Sequence, residues 1–278
     1  MKENAQISQL LARFHELRIA EQIDYEKFYL YSIITHSTAI EGSTVTEVEN
    51  QLMFDEGIAP AGKEIAEQMM NLDLRDAYLK WLKWAKDDVR FSIEVLCQMS
   101  ASVMRRTGSL YHTMLGDFDS SKGELRKVNV QAGAGGRSYM AFQKVPDQLK
   151  EFCQWLNAQI SAIDKQKAED IYRLSFEAHY RLVTIHPWVD GNGRTTRMLM
   201  NIIQHHFAVP MSKVVKQNKA AYIQALVDAR EDDDASIFVD SMMAFLCNDL
   251  EQQIRNFETD TAFENVQKDV QKQLSERQ

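Results

Sequence analysis

The stretch HPWVDGNGRTTR occupies residues 186–197. Gly191, Asn192 and Gly193 tolerate backbone angles that most residues avoid, so their N–H groups can converge on an anion. A helix is expected from about Arg194 to Phe207, and its positive end favours the same charge. Arg194 and Arg197 are three apart and share one face of its first turn. Two cations there oppose the helix dipole and repel each other, a conflict that a bound polyanion would relieve. Two guanidiniums beside a backbone nest describe a di- or triphosphate site. Asp190 stands just before the nest, and a carboxylate beside phosphates suits Mg2+, a hard ion with oxygen ligands. His186 ends the preceding helix, with Pro187 fixing the exit. An imidazole that titrates near neutrality suits a general base acting on an attacking hydroxyl.

Upstream, Ile171, Leu174, Ala178, Leu182 and Ile185 recur on one face, so residues 168–184 read as an amphipathic helix. The same spacing joins Leu10, Leu11, Phe14 and Leu17, and again Phe28, Tyr31, Ile34 and Thr38. The second of these helices is expected to run to about Glu41 and stop at Gly42. Residues 43–50 offer caps for another helix, 55–62 read as a loop, and 65–86 as helix. Further helices are expected from about Phe91, from Pro146 through Leu156, and over 222–229 and 237–257. Residues 116–123 read as a polar loop. Val128 and Val130 alternate with polar residues before GAGG, Tyr139, Ala141 and Phe142, which predicts a small hairpin. The polar tail beyond Glu258 is expected to fray. The expected fold is all-α with one small β-hairpin.

Only 4 Pro and 11 Gly in 278 residues agree with long helices. The net charge is −8 and no Lys/Arg stripe appears, which argues against a nucleic-acid partner. Cys97, Cys153 and Cys247 lie far apart in apolar stretches and read as buried thiols of a reducing compartment. The N-terminus is polar, and no apolar run approaches the roughly 20 residues that span a bilayer. The expectation is a cytoplasmic protein with no membrane partner.

Residues 186–197 resemble the Fic signature H-P-F-x-D/E-G-N-G-R-x-x-R, with Trp188 in place of Phe. The larger ring is expected to pack inward and anchor the loop. The resemblance implies a Fic-type helical bundle with a hairpin flap. It divides the chain into an N-terminal helical region (1–90), a catalytic domain (91–248) and a C-terminal helix with polar tail (249–278). It implies that His186 is the base and Asp190 the Mg2+ ligand. Gly191, Asn192, Gly193, Arg194 and Thr195 would cradle ATP phosphates, and Arg194 and Arg197 would hold the β/γ end. Val130, Gln131, Ala132 and Gly133 resemble the flap, whose open edge would capture an extended acceptor segment. Tyr222 would line the nucleotide-base pocket. Arg230 stands where some relatives carry Asn, a departure that bears on base selectivity. His179, His205 and His206 read as packed or surface residues.

Residues 37–42, STAIEG, resemble the family's inhibitory motif [S/T]-x-x-x-E-[G/N]. Glu41 lies at a helix C-terminus, where the dipole disfavours a carboxylate. The resemblance supplies Arg197 as its partner, with Ser37 one turn earlier on the same face. The implied activity is autoinhibited transfer of AMP from Mg-ATP to a Ser, Thr or Tyr hydroxyl of a target protein, releasing pyrophosphate. Self-modification and a homodimer remain open. The alternatives are a Fic enzyme that uses another donor or removes AMP, and a nucleotide-binding regulatory module without turnover.

Overall fold

The computed structural model describes residues 2–87, 89–132 and 138–275. Five helices precede the only regular sheet among them: α1 (Lys2–Glu16), α2 (Tyr25–Ile40), α3 (Glu47–Asp55), α4 (Ile65–Trp84) and α5 (Ile93–Val103). Strands β1 (Leu110–Tyr111) and β2 (Phe118–Asp119) pair antiparallel. Then come α6 (Val145–Ala162), α7 (Ala168–Ile185), α8 (Asn192–His206), α9 (Lys219–Glu231) and α10 (Ala235–Ser275).

Local chemistry sets the ends that matter for the site. A capping box between Thr46 and Glu49 opens α3, and the Ser92 hydroxyl accepts from Val95 N–H to open α5. At the end of α2, Gly42 has φ +109°, its N–H donates to Ala39 O, and Ser43 N–H donates to Thr38 O. This pair of bonds is a Schellman motif, as the glycine predicted.

Helices α7 and α8 are buried along most of their length and form the spine of the molecule. One core on the spine includes Ile34, Leu74, Trp81, Leu96, Leu149, Leu182, Trp188 and Leu199. The other joins α1 to the C-terminal half through Ile7, Phe14, Phe176, Met200, Phe238 and Met242. The N-terminal helices therefore share both cores with the segments that follow.

The two arms of the flap pair antiparallel at their described ends: Tyr139 N–H donates to Val130 O at 3.0 Å, and Gln131 and Ser138 form an isolated bridge. Side chains bind further backbone groups of both arms. Arg126 binds the carbonyls of Val128 and Met140, and Asn129 Oδ1 accepts from Phe142 N–H. The regular sheet instead borders the 116–123 loop, where Tyr111 stacks on Phe118. Two residues per strand are too few for alternation to show. Beyond Glu258 helix α10 continues to Ser275. Arg13 anchors its middle through Glu258 at 2.6 Å. Among the described residues, no helix is long and apolar enough to cross a membrane.

Candidate active site

Helix α7 ends at His186, whose φ of +52° turns the chain into the signature loop. The loop is pinned from below. Trp188 is fully buried, and its indole N–H donates to Gly123 O at 3.0 Å. The expected inward anchor is thus present. The Asn192 side chain accepts from Trp188 N–H at 3.1 Å and donates to Trp188 O at 2.9 Å. Its amide therefore holds the loop closed, and the groups left for an anion are backbone. Gly191, at φ +78°, packs so tightly that a Cβ would lie 2.6 Å from Met104 Sδ. Gly191 N–H donates to Asp190 Oδ1.

The two arginines differ sharply. Arg194 is 2% exposed; its Nη2 lies 3.5 Å from Asp190 Oδ1, while its Nε and Nη1 have no hydrogen-bond partner. Thr195 Oγ1, also buried, has none either. Buried donors of this kind cost free energy unless something binds them. Arg197, also buried, has a partner at every nitrogen. Its Nε donates to Ser37 Oγ at 2.9 Å, and its Nη2 donates to Ser37 O at 3.0 Å and Glu41 Oε1 at 2.6 Å. Its Nη1 reaches Tyr222 Oη at 3.4 Å, and that hydroxyl lies 2.9 Å from His179 Nε2.

Glu41 therefore sits where the C-terminal end of α2 meets the N-terminal end of α8. A Cβ on Gly193 would lie 2.5 Å from Glu41 Oε1, so only glycine allows this approach. The carboxylate occupies an anion position at the head of α8, which offsets its poor placement at the tail of α2. Burial alone would raise its pKa. The charge and hydrogen bond of Arg197, with Arg194 and Lys219, hold it below the ordinary value.

The His186 ring stacks on Tyr139 with centroids 3.7 Å apart, and the Arg230 guanidinium lies 4.5 Å from the Tyr139 ring centroid. Burial pushes the imidazole down to about 4; Arg126 and Arg230 lower it, against the Val183 carbonyl and Glu41. It does not titrate near neutrality, as expected from sequence, because it is buried beside two guanidiniums. His186 Nδ1 lies 3.2 Å from Val183 O. A carbonyl only accepts, so Nδ1 carries the proton of the neutral ring and Nε2 keeps its lone pair.

His179 is fully buried and likewise held well below its ordinary value, by burial and then by Arg197. Below pH 6.5 the unfolded chain takes up protons at both histidines that the native state refuses. Stability should therefore fall as pH drops from 6.5 toward 4, by about 1.4 kcal/mol per pH unit for each histidine. Urea midpoints between pH 7.5 and 5 check this, and His186→Ala should remove one proton's share. A flat profile would mean that these imidazoles are charged in the fold.

Tyr222 is not on an open pocket wall. It is 2% exposed, packed edge-on to His179 and Phe238, with its hydroxyl turned to Arg197. In this state it positions an arginine and does not face a base. Val130, Gln131 and Ala132 lie on the flap; Gly133 lies outside the described residues. His206 is structural, its Nδ1 2.9 Å from Ala85 O. Sequence reading did not place Arg126 or Tyr139 beside His186, since each acts through a contact distant in sequence; Arg230, singled out there for its departure from the relatives' Asn, lies over the Tyr139 ring. No group of three or more His, Cys, Asp or Glu able to hold a metal occurs among the described residues. Asp190 alone, its side chain 58% exposed, fits an ion delivered with a nucleotide, because Mg2+ commonly takes one or two carboxylates and completes its shell with phosphates and water.

Comparison with known proteins agrees with this geometry. Protein adenylyltransferase fic-1 of Caenorhabditis elegans is 28% identical over 204 residues, 72% of this chain and 36% of that protein. Protein adenylyltransferase Fic of Drosophila virilis is 29% identical over 231 residues, 80% and 42% respectively. The chain thus spans less than half the length of these curated relatives. A Fic domain containing signaling protein from Bacteroides thetaiotaomicron superposes with a TM-score of 0.72 at 19% identity, over 91% of this chain and 97% of its own. For C. elegans Fic-1 the score is 0.69 at 23% identity, over 91% and 73%. Both show the same fold. Residues 90–204, which hold the signature loop with Arg194 and Arg197, match the model of the Fic/DOC family.

Proposed function

We propose that the chain is an autoinhibited protein adenylyltransferase, moving AMP from Mg-ATP to a Ser, Thr or Tyr hydroxyl of a target protein. One observation carries the reading. A single anion position at the head of α8 is filled by an internal carboxylate, Glu41, on Arg197 at 2.6 Å, while Arg194 beside it keeps two buried donors without partners. The names of the curated relatives agree with adenylyl transfer.

In this reading the triphosphate displaces Glu41. Arg197 and the vacant nitrogens of Arg194 take the β/γ oxygens, and the amides at the head of α8 take the rest. Mg2+ bound with the nucleotide would neutralise phosphate charge, and Asp190 would hold it. The acceptor oxygen forms a bond to the α-phosphorus as the bond to the β-phosphate oxygen breaks. His186 Nε2 takes the hydroxyl proton, and pyrophosphate leaves. The incoming negative charge raises the imidazole pKa from its depressed value, which makes it a stronger base when substrate is present. The flap edge at Val130 and Gln131 aligns the acceptor by backbone pairing.

Incubation of the Glu41→Gly protein with ATP and Mg2+ tests the reading. Label should reach protein from α-labelled and not from γ-labelled ATP. Incorporation from γ-label would instead mark a phosphotransferase. Chelation by EDTA should stop transfer, and added Mg2+ should restore it in a protein that keeps Asp190 but not in Asp190→Ala. Undiminished transfer in EDTA would reduce Asp190 to a loop-shaping residue.

A further inference from the structure

Arg126 is one of the largest fully buried side chains, at 2% exposure, and every guanidinium nitrogen is spent on a backbone carbonyl. Nε donates to His186 O at 2.7 Å, Nη1 to Val128 O at 2.8 Å, and Nη2 to Met140 O at 2.7 Å. Its own N–H donates to Pro187 O at 3.1 Å. No ion pair to Arg126 occurs among the described residues, and burial pushes its pKa down. Arg194 and Arg197, by contrast, each lie near a carboxylate.

Burying a cation without a counter-charge is costly, and carbonyl dipoles offset only part of that cost. A packing role alone would be served by an apolar side chain. What this guanidinium does that an apolar group cannot is join three backbone segments at fixed spacing: the loop of the base and both arms of the flap. The planar fork has the reach and rigidity for this, and an ammonium does not. It adds to the Val130–Tyr139 bond and the Gln131–Ser138 bridge that pair the two arms. Tyr139, next to the anchored Met140, is thereby set over the His186 ring.

We propose that Arg126 is a positioning residue for the acceptor, fixing the distance between the flap edge and His186 Nε2. The proposal rests on the transferase reading above. Misplacement by about 1 Å can cost on the order of 10²-fold in rate, so transfer should respond strongly while nucleotide binding, held by α8, should not.

The test uses the full chain with Glu41→Gly as parent, and adds Arg126→Lys or Arg126→Gln. Transfer to a protein acceptor should fall on the order of 10²-fold in both variants, with ATP affinity by calorimetry at the parent value. The Tyr139 amide, bonded to Val130 O, should exchange its hydrogen faster in both. The His186 titration, followed by NMR, separates the two substitutions. Lysine keeps the cation, so with Arg230, Glu41→Gly and Tyr139 unchanged the imidazole should titrate near the parent value; glutamine should let it rise. Parent-like transfer in Arg126→Lys, or equal losses in transfer and ATP affinity, overturns the proposal. So does failure of both variants to fold, which would make Arg126 a core residue. If the parent itself transfers nothing, the transferase reading falls, while amide exchange and ATP binding still judge Arg126.

Discussion

Glu41→Gly should bind ATP at least about tenfold more tightly than the wild type and label itself and its targets correspondingly faster. The substitution deletes the carboxylate 2.6 Å from Arg197 Nη2 and leaves α2 to end as before, since Gly42 and Ser43 carry the helix terminus. A charge-assisted hydrogen bond contributes about 1.5–3 kcal/mol, and 1.4 kcal/mol is a factor of ten. Glu41→Gln keeps the shape and loses the charge, so it should fall between the two. Arg197→Ala should not mimic the gain, because it removes the proposed phosphate ligand along with the inhibitor's partner. Calorimetric ATP binding and α-label incorporation, measured on all four proteins, decide the matter. If Glu41→Gly changes neither, Glu41 is a helix end and nothing more.

His186→Ala, placed in the Glu41→Gly background, should abolish most transfer and leave ATP binding intact. Loss of a general base costs about 10²–10⁴-fold. The neutral ring, with Nε2 unprotonated, is already in its base form at any pH above about 4. In the Glu41→Gly parent, kcat/KM for ATP, which reports the nucleotide-free enzyme, should therefore not fall between pH 8 and pH 6 through His186 protonation, whereas a base titrating near 6.5 would halve it at that pH. Retained activity in His186→Ala would remove the histidine from the mechanism.

The elements that sequence reading found share a physical trait: their signals are local. Gly42 announced the end of α2, the glycines and arginines of 191–197 announced the head of α8, and apolar spacing announced α7. Glu41 and Arg197 were each legible as a charge at the wrong helix end, and their meeting explains both. The remaining features depend on long-range contacts that no window reveals. Arg126 acts 60 residues away on His186 O. Tyr139 stacks across the loop, and Tyr222 turned inward because Arg197 and His179 offered its hydroxyl partners in a closed core. The flap alternates like a strand, yet Arg126 and Asn129 compete for its polar groups.

A buried polar cluster fixes the helix that bears Glu41. Thr38 Oγ1 donates to Asn71 Oδ1 at 2.8 Å, Asn50 Nδ2 donates to Thr35 and Asn71, and Asn71 Nδ2 reaches Ser43 Oγ at 3.0 Å. Moving α2 would break the bonds of Thr35 and Thr38 to Asn50 and Asn71, while turning the Glu41 side chain, one-third exposed, breaks only its own. In the proposed reading Glu41 is therefore a tethered competitor at constant effective concentration. Diluting the protein cannot weaken it, and the open fraction depends on how much nucleotide competes. In the proposed reading, opening then needs a rotamer change at Glu41 and no displacement of α2.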